Sequence, residues 1–144
     1  MKQELTLRII LEGPPAGVAF CLQKGGGNSY ERVQTQRSEG EDLNFEFDVR
    51  LGEQKDGQPN FLGPFTQGPA DGRFVYIDIG TMAGQIGSCW SRRLKVPLRG
   101  ITWEMINNSK VLVTHVPGTA KDGSPTCATV KPFGGWHADK TQGQ

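Results

Sequence analysis

The alternation of apolar and polar residues between Leu43 and Leu51 is the feature that most constrains the fold. Every second residue in this run is apolar, and the residues between them are Asn44, Glu46, Asp48 and Arg50. Successive side chains of a β-strand point to opposite faces of its sheet, so the run predicts a strand with one buried and one solvated face. A helix would scatter the same apolar residues around its circumference.

The same period of two recurs along the chain, separated by clusters of glycine and proline that favour turns. About seven or eight short strands are expected, drawn from the candidate segments 5–12, 18–23, 30–35, 43–51, 61–67, 73–79, 93–98, 110–116 and 127–131. Segment 73–79 is apolar on both faces, which predicts a central strand. Segment 101–106 fits either a strand or one helical turn capped by Thr102.

These patterns predict an all-β fold, an antiparallel β-sandwich, with a small closed β-barrel as the alternative. No connection holds a convincing crossover helix, so parallel βαβ units are not expected. The length of 144 residues predicts one domain over residues 1–133. Residues 134–144 lack an apolar pattern after Trp136 and are expected to form a flexible tail.

The net charge and the cysteines restrict which partners and which cellular compartment are expected. The net charge is +1, which gives no reason to expect nucleic acid or an anionic membrane as a partner. No apolar run reaches the length of a signal peptide or a membrane span. Three widely spaced cysteines, Cys21, Cys89 and Cys127, predict reduced thiols in the cytoplasm, whereas one disulfide and one thiol would fit an oxidising compartment.

Motifs of the common enzyme classes are missing from the sequence. It has no P-loop, no G-x-S-x-G elbow, no H-E-x-x-H and no C-x-x-C pair. His115 and His137 are the only histidines, so a three-histidine metal site cannot be built, and neither a metal nor another cofactor is expected. The remaining acid–base or nucleophile candidates are Asp78, His115 and Cys127, although each also fits a purely structural role.

The densest basic cluster, formed by Arg92, Arg93, Lys95 and Arg99 beside Trp90, indicates a candidate binding site. Arginine can hold a carboxylate or a phosphate with two hydrogen bonds, and an adjacent tryptophan offers a stacking surface. A solvated strand face that protects a sheet edge explains the same cluster. The candidate ligand-binding residues are Phe65, Gln67, Tyr76, Trp90, Arg92 and Arg93.

Two stretches of the chain resemble a known family. One is 61–69 with 73–76, reading FLGPFTQGP and RFVY, and the other is 116–132, reading VPGTAKDGSPTCATVKP. With the opening hairpin, these stretches are similar to a family of small uncharacterised bacterial proteins, over roughly residues 5–132. The resemblance implies a single cytoplasmic domain without an assigned activity, cofactor or catalytic residue. It directs attention to the loops at 63–68 and 118–125, which are also explained by the demands of turn geometry.

Three functions from different classes remain open on the sequence. The first is a non-catalytic binding module for a small anionic or aromatic ligand or a protein partner. The second is an assembly protein, for example a homodimer that uses exposed sheet edges. The third is a small enzyme with acid–base chemistry in a β cavity, which requires Asp78, His115 or Cys127 in a concave site.

Overall fold

A computed structural model describes residues 4–26, 29–52, 59–62, 68–69, 74–79, 93–119 and 135–139. These residues form ten strands and one short helix. The strands are β1 (Glu4–Glu12), β2 (Ala19–Gly26), β3 (Ser29–Arg37), β4 (Leu43–Leu51), β5 (Asn60–Leu62), β6 (Gly68–Pro69), β7 (Phe74–Ile79), β8 (Arg93–Pro97), β9 (Val111–Pro117) and β10 (His137–Ala138). The helix α1 spans Trp103–Asn108, between β8 and β9.

The strands are arranged in two sheets. The six-stranded sheet has the order β10-β9-β1-β4-β5-β6, and the four-stranded sheet has the order β3-β2-β7-β8. Strand β7 lies between β2 and β8, as its two apolar faces predict. In the described part of the chain, neither sheet closes on itself, so the open sandwich describes the fold and the closed barrel does not.

One hydrophobic core lies between the sheets. Inward residues of β1 and β4 alternate strictly with exposed or half-exposed residues, as the period of two requires. They share a single buried cluster with Phe20 and Leu22 of β2 and with Leu94 and Val96 of β8. Because residues from both sheets bury one another, the architecture is a β-sandwich.

Strand β9 departs from the expected antiparallel arrangement. It pairs in parallel with β1, from Thr6 opposite Val111 to Glu12 opposite Pro117, whereas the other strand pairs are antiparallel in the described part of the chain. More than ninety residues separate these two strands in sequence, so local patterns around either strand do not indicate their pairing. The parallel pair arises without a βαβ unit.

Side chains bridge two corners of the sandwich, where strands of different sheets approach each other. At the corner of β3 and β4, the Gln36 side-chain amide donates to the backbone oxygen of Asn44, and the Gln34 side-chain oxygen accepts from the backbone N–H of Glu46 at 3.5 Å. At the corner of β8 and β10, the Trp136 Nε1 donates to the backbone oxygen of Pro97 at 2.9 Å. The sheets are therefore joined by side-chain-to-backbone bonds at both positions.

The ambiguous segment 101–106 resolves into the beginning of helix α1. The Thr102 Oγ1 accepts a hydrogen bond from the backbone N–H of Met105 at 3.2 Å, which caps the helix. Ile106 is fully buried and anchors the helix to the core. The capping threonine thus decides between the two readings of this segment.

Other predicted elements differ in extent. The weak candidate 30–35 is a full nine-residue strand, β3. Of the candidate edge strand 61–67, Phe61 and Leu62 lie in β5, and 63–67 lie outside the described residues, as does candidate 127–131. In the segment expected to be a flexible tail, Trp136 lies in the core and His137–Ala138 pair with β9.

Candidate functional site

The structure describes two of the six predicted ligand-binding residues. Tyr76 lies in β7 and Arg93 lies in β8. Phe65, Gln67, Trp90 and Arg92 fall outside the described residues. The pairing of β7 with β8 places Tyr76 opposite Lys95 and Asp78 opposite Arg93. Tyr76 and Arg93 are therefore two residue pairs apart along the same two strands, at register positions of the same face of the sheet.

The register of the four-stranded sheet extends this face across all of its strands. One row consists of Thr35, Cys21, Asp78 and Arg93, and the next consists of Arg32, Gln23, Tyr76 and Lys95. Arg37 occupies the same face, opposite Ala19. Phe20 and Leu22 belong to the opposite face, which forms the core. We call the charged and aromatic register positions Arg32, Arg37, Tyr76, Asp78, Arg93 and Lys95 of this face the basic face.

The central strand of the basic face carries small residues that are shielded from water. Cys21 is 0% exposed and Ala19 is 2% exposed, and together they form a second buried cluster apart from the main core. Thr35 and Arg37, on the neighbouring strand β3, are exposed. The basic residues of this face therefore occupy the border strands β3 and β8, on either side of a buried strip along β2.

A second polar constellation lies on the outer face of the six-stranded sheet. The Arg8 guanidinium donates to the Glu46 carboxylate at 2.9 Å from Nε and 2.7 Å from Nη2. Its Nη1 donates to the carboxylate of Asp139, just after β10. The side chains of Arg8 and Asp139 are only 15% and 6% exposed. Arg8 on β1 is thus hydrogen-bonded both to β4 and to the residue that follows β10.

The two carboxylates keep Arg8 charged. The hydrogen bond to Glu46 is the largest cause that raises the pKa of Arg8, and the charges of Glu46 and Asp139 act in the same direction, against partial desolvation. A raised pKa in the folded state means that this stabilisation is complete at neutral pH and is lost only at strongly alkaline pH. Arg8 is therefore a structural cation rather than a proton donor.

The rings of His115 and His137 stack on each other at the β9–β10 edge of the outer face of the six-stranded sheet. The ring centroids of His115 and His137 are 5.8 Å apart, with an angle of 4° between the ring planes. The Nδ1 of His115 lies 3.2 Å from the Oε2 of Glu12, and both of these side chains are about half exposed. The His115 and Glu12 side chains of this cluster are therefore open to solvent.

The fold separates two of the three candidate catalytic residues. His115 lies on β9 of the six-stranded sheet, and Asp78 lies on β7 of the four-stranded sheet. By register, Asp78 shares the basic face with Cys21, on the far side of the sandwich from the outer face that carries His115. The two residues therefore do not form a common site, and Cys127 lies outside the described residues.

Neither a metal centre nor a membrane-spanning helix is found in the described ranges. Within them, no three His, Cys, Asp or Glu side chains are arranged to hold a metal ion. The one helix described, α1, has six residues and is too short to cross a bilayer.

Sequence patterns did not reveal the partners of Arg8 or the meeting of the histidines. Arg8 is a regular polar position in an alternating strand, and Asp139 is 131 residues away from it in sequence. The sequence did contain one indication that the residues after Trp136 are anchored to the domain. A lone tryptophan in a polar segment, here Trp136, is an apolar surface too large to leave in water without cost, and it anchors the residues that follow it.

The described strands define this molecule as a β-sandwich of two open sheets, in which β1 and β4 of the six-stranded sheet present a mainly polar outer face. The chain belongs to a family of unknown function (DUF5990), whose model matches residues 5–139. The match includes β10 and Asp139, so the residues that Trp136 anchors are part of the family's domain. Searches of curated proteins and of solved structures found no match to the chain.

Proposed function

We propose that this protein is a non-catalytic binding module whose basic face recognises an anionic ligand. The observation that carries the proposal is the strand register, which brings Tyr76 together with Lys95 and Arg93 on one face of the four-stranded sheet. A planar aromatic residue beside two cations suits a ligand with a carboxylate or phosphate group and an apolar or aromatic body.

The residue content of the basic face supports anion binding. Its four basic residues, Arg32, Arg37, Arg93 and Lys95, outnumber the single carboxylate, Asp78. Arg93 and Lys95 are two residues apart on one strand, a separation of about 6.6 Å that lets both approach one anionic group or two neighbouring ones. The enzyme alternative has less support, because Asp78 and His115 lie on different sheets.

The buried thiol supports a reducing compartment for this module. Cys21 is a free cysteine, fully buried, whose Sγ–H points to the backbone oxygen of Leu22 at 3.7 Å. A buried unpaired cysteine behaves as a small apolar residue and is common in cytosolic proteins. We include a bacterial cytoplasmic location in the proposal on this basis and on the family resemblance.

Thermal unfolding in the presence of simple anions tests the proposed function. The probes are inorganic phosphate, benzoate and adenosine monophosphate, each titrated against the full-length chain. A probe at ten times its Kd stabilises the folded state by about 1.4 kcal/mol. That corresponds to a rise in Tm of roughly 3 to 6 °C for a domain of this size.

Two matched variants test whether the anion-dependent rise in Tm depends on the basic face. We expect Arg93→Gln/Lys95→Gln to abolish the anion-dependent rise in Tm, because it removes both cations next to Tyr76. Arg50→Gln removes an exposed cation from β4 on the other sheet and should leave the rise unchanged. Absence of any rise with all three probes, or an equal rise in both variants, would overturn the proposal.

A further inference from the structure

The docking of β10 on β9 brings the two histidines of the chain together at the edge of the six-stranded sheet. His137 pairs with Val113, and His115 lies two residues further along β9, on the same face. The histidines are thus diagonal neighbours on adjacent strands, a spacing that aromatic side chains can bridge. Their ring centroids are 5.8 Å apart, and both residues are exposed. The fold therefore presents two adjacent imidazoles to solvent.

Glu12 orients one of these two rings. Its Oε2 lies 3.2 Å from the Nδ1 of His115. Because an ionised carboxylate only accepts hydrogen bonds, the proton of the neutral imidazole is placed on Nδ1, and Nε2 keeps a free lone pair. Histidines that bind metal ions almost always donate their other ring N–H to such a partner, which fixes the tautomer and the ring orientation. His115 is therefore held in the form that a metal ion requires.

The separation of the rings allows one ion to bind both of them. A metal ion at about 2.0–2.1 Å from an imidazole nitrogen lies about 3.2 Å from the centroid of that ring. Two rings on one ion therefore have centroids at most about 6.4 Å apart, and the observed 5.8 Å is within this limit. The ring planes are parallel to within 4°, so the rings must rotate to direct both nitrogens at one point. The χ2 torsion of histidine is broad, and both side chains are exposed, so this rotation is accessible.

The charges of the described neighbours favour a cation at this edge. Glu12 places a carboxylate beside His115, and its side chain is 54% exposed. The guanidinium of Arg8, on the same face of β1, is already paired with two carboxylates. A positive ion next to the histidines therefore meets a net negative charge from these described side chains.

We propose that His115 and His137 bind one divalent transition-metal ion of the class that prefers imidazole ligands, such as Zn²⁺ or Ni²⁺, and that this ion links β9 to β10. Water fills the remaining coordination positions, since the described ranges contain no three His, Cys, Asp or Glu side chains arranged to hold a metal ion. Mg²⁺ and Ca²⁺ prefer oxygen ligands and do not suit the pair. The sequence did not predict this site, because it assigned His137 to a flexible tail.

The ion should hold β10 more firmly in place. Only two residues of β10 pair with β9, and the next backbone bond runs from the N–H of Asp139 to the oxygen of Val111 at 3.1 Å. An ion that binds only when His137 is docked lowers the population of open states in which this bond is broken. At ten times the Kd of the ion, hydrogen exchange at the Asp139 amide should therefore slow by about tenfold.

Isothermal titration calorimetry with the full chain tests the site, with Ni²⁺ and Zn²⁺ as probes and Mg²⁺ as the ion that should not bind. His115→Gln and His137→Gln should each weaken binding at least tenfold, because a single imidazole remains. Glu12→Gln should weaken binding by about 10- to 100-fold, since it removes the group that orients His115. The matched control Asp48→Asn removes an exposed carboxylate from the same face and should leave the Kd unchanged. All four substitutions are at exposed positions and should retain the far-UV circular dichroism spectrum of the wild type.

The outcomes distinguish this pair from other places where an ion could bind. A wild-type chain that binds neither Ni²⁺ nor Zn²⁺ would overturn the inference, and so would equal affinity in the wild type and both histidine variants. Equal weakening by Glu12→Gln and Asp48→Asn would refute the orienting role of Glu12. Binding that needs both histidines but leaves exchange at the Asp139 amide unchanged would refute the link between β9 and β10. The proposed anion site lies on the other sheet, so the anion titration neither supports nor overturns this inference.

Discussion

Gly118 shows how a single residue links two distant parts of the fold. Its backbone N–H donates to the backbone oxygen of Glu12 at 2.8 Å, which attaches the end of β9 to the turn after β1. A Cβ atom at this position would lie 2.7 Å from the Glu12 oxygen and 2.7 Å from the Cα and N atoms of Pro14. The glycine of the VPGT sequence is therefore required by the close approach of two backbone segments, whereas residues 120–125 of that loop lie outside the described residues.

Gly118→Ala should lower the free energy of unfolding by about 1 to 3 kcal/mol, because every atom that the methyl group meets belongs to the backbone and cannot rotate away. Urea denaturation followed by circular dichroism measures the change. The control Lys110→Ala, at an exposed position before β9, should stay within about 0.5 kcal/mol of the wild type. An equal effect of the two substitutions would contradict the close approach.

Arg8 and the histidines show which side-chain contacts a single sequence can reveal. Alternation places Arg8 on the outer face of β1, and that part was predictable. Its partners come from β4 and from the residue after β10, so they depend on strand order. The stacking of His115 on His137 depends in the same way on the pairing of β10 with β9.

Strand β10 is an element held by its flanking side chains more than by its own ladder. Only His137 and Ala138 pair with β9. The neighbouring contacts are the insertion of Trp136 into the core, the bond from the backbone N–H of Asp139 to the backbone oxygen of Val111 at 3.1 Å, and the ion pair with Arg8. A two-residue strand gives no alternating pattern, which is why the sequence did not predict it.

Trp136→Ala should cost about 3 to 5 kcal/mol of folding free energy, because it removes a large buried side chain and leaves the backbone oxygen of Pro97 without this donor. Far-UV circular dichroism in urea gives the value without relying on tryptophan fluorescence. Ala138→Ser, an exposed change in the same strand, should cost less than about 0.5 kcal/mol. A loss under about 1 kcal/mol for Trp136→Ala would show that β10 is not anchored by this side chain.

At the scale of the whole molecule, the two sheets share one core. Inward residues of β1, β4 and β9 belong to the same buried cluster as those of β2 and β8. Hydrogen bonds from side chains to backbone also connect the two sheets. Gln34 and Gln36 bond to β4, and Trp136 bonds to β8. Neither sheet can therefore lose its structure without exposing the apolar face of the other.

We expect the domain to unfold in a single cooperative transition. Far-UV circular dichroism and tryptophan fluorescence should give the same urea midpoint. Leu7→Ala in the six-stranded sheet and Leu94→Ala in the four-stranded sheet should each lower that midpoint for both probes together, at a cost of about 2 to 5 kcal/mol. Two separate midpoints, in the wild type or in either variant, would show that the sheets are independent units.

The sequence by itself determined the β class, most strand positions and the buried face of the clearly alternating strands, and it offered Thr102 as a helix cap in a segment that also fitted a strand. These properties follow from the two-residue period of a strand and from local hydrogen bonding, which act over a few neighbouring residues. Only the tertiary structure decided the strand order, the parallel pairing of β9 with β1, the docking of β10 and the sharing of one face by Tyr76 and Arg93. Those features depend on contacts between residues far apart in the chain, and the period of a strand carries no information about which strand becomes its neighbour.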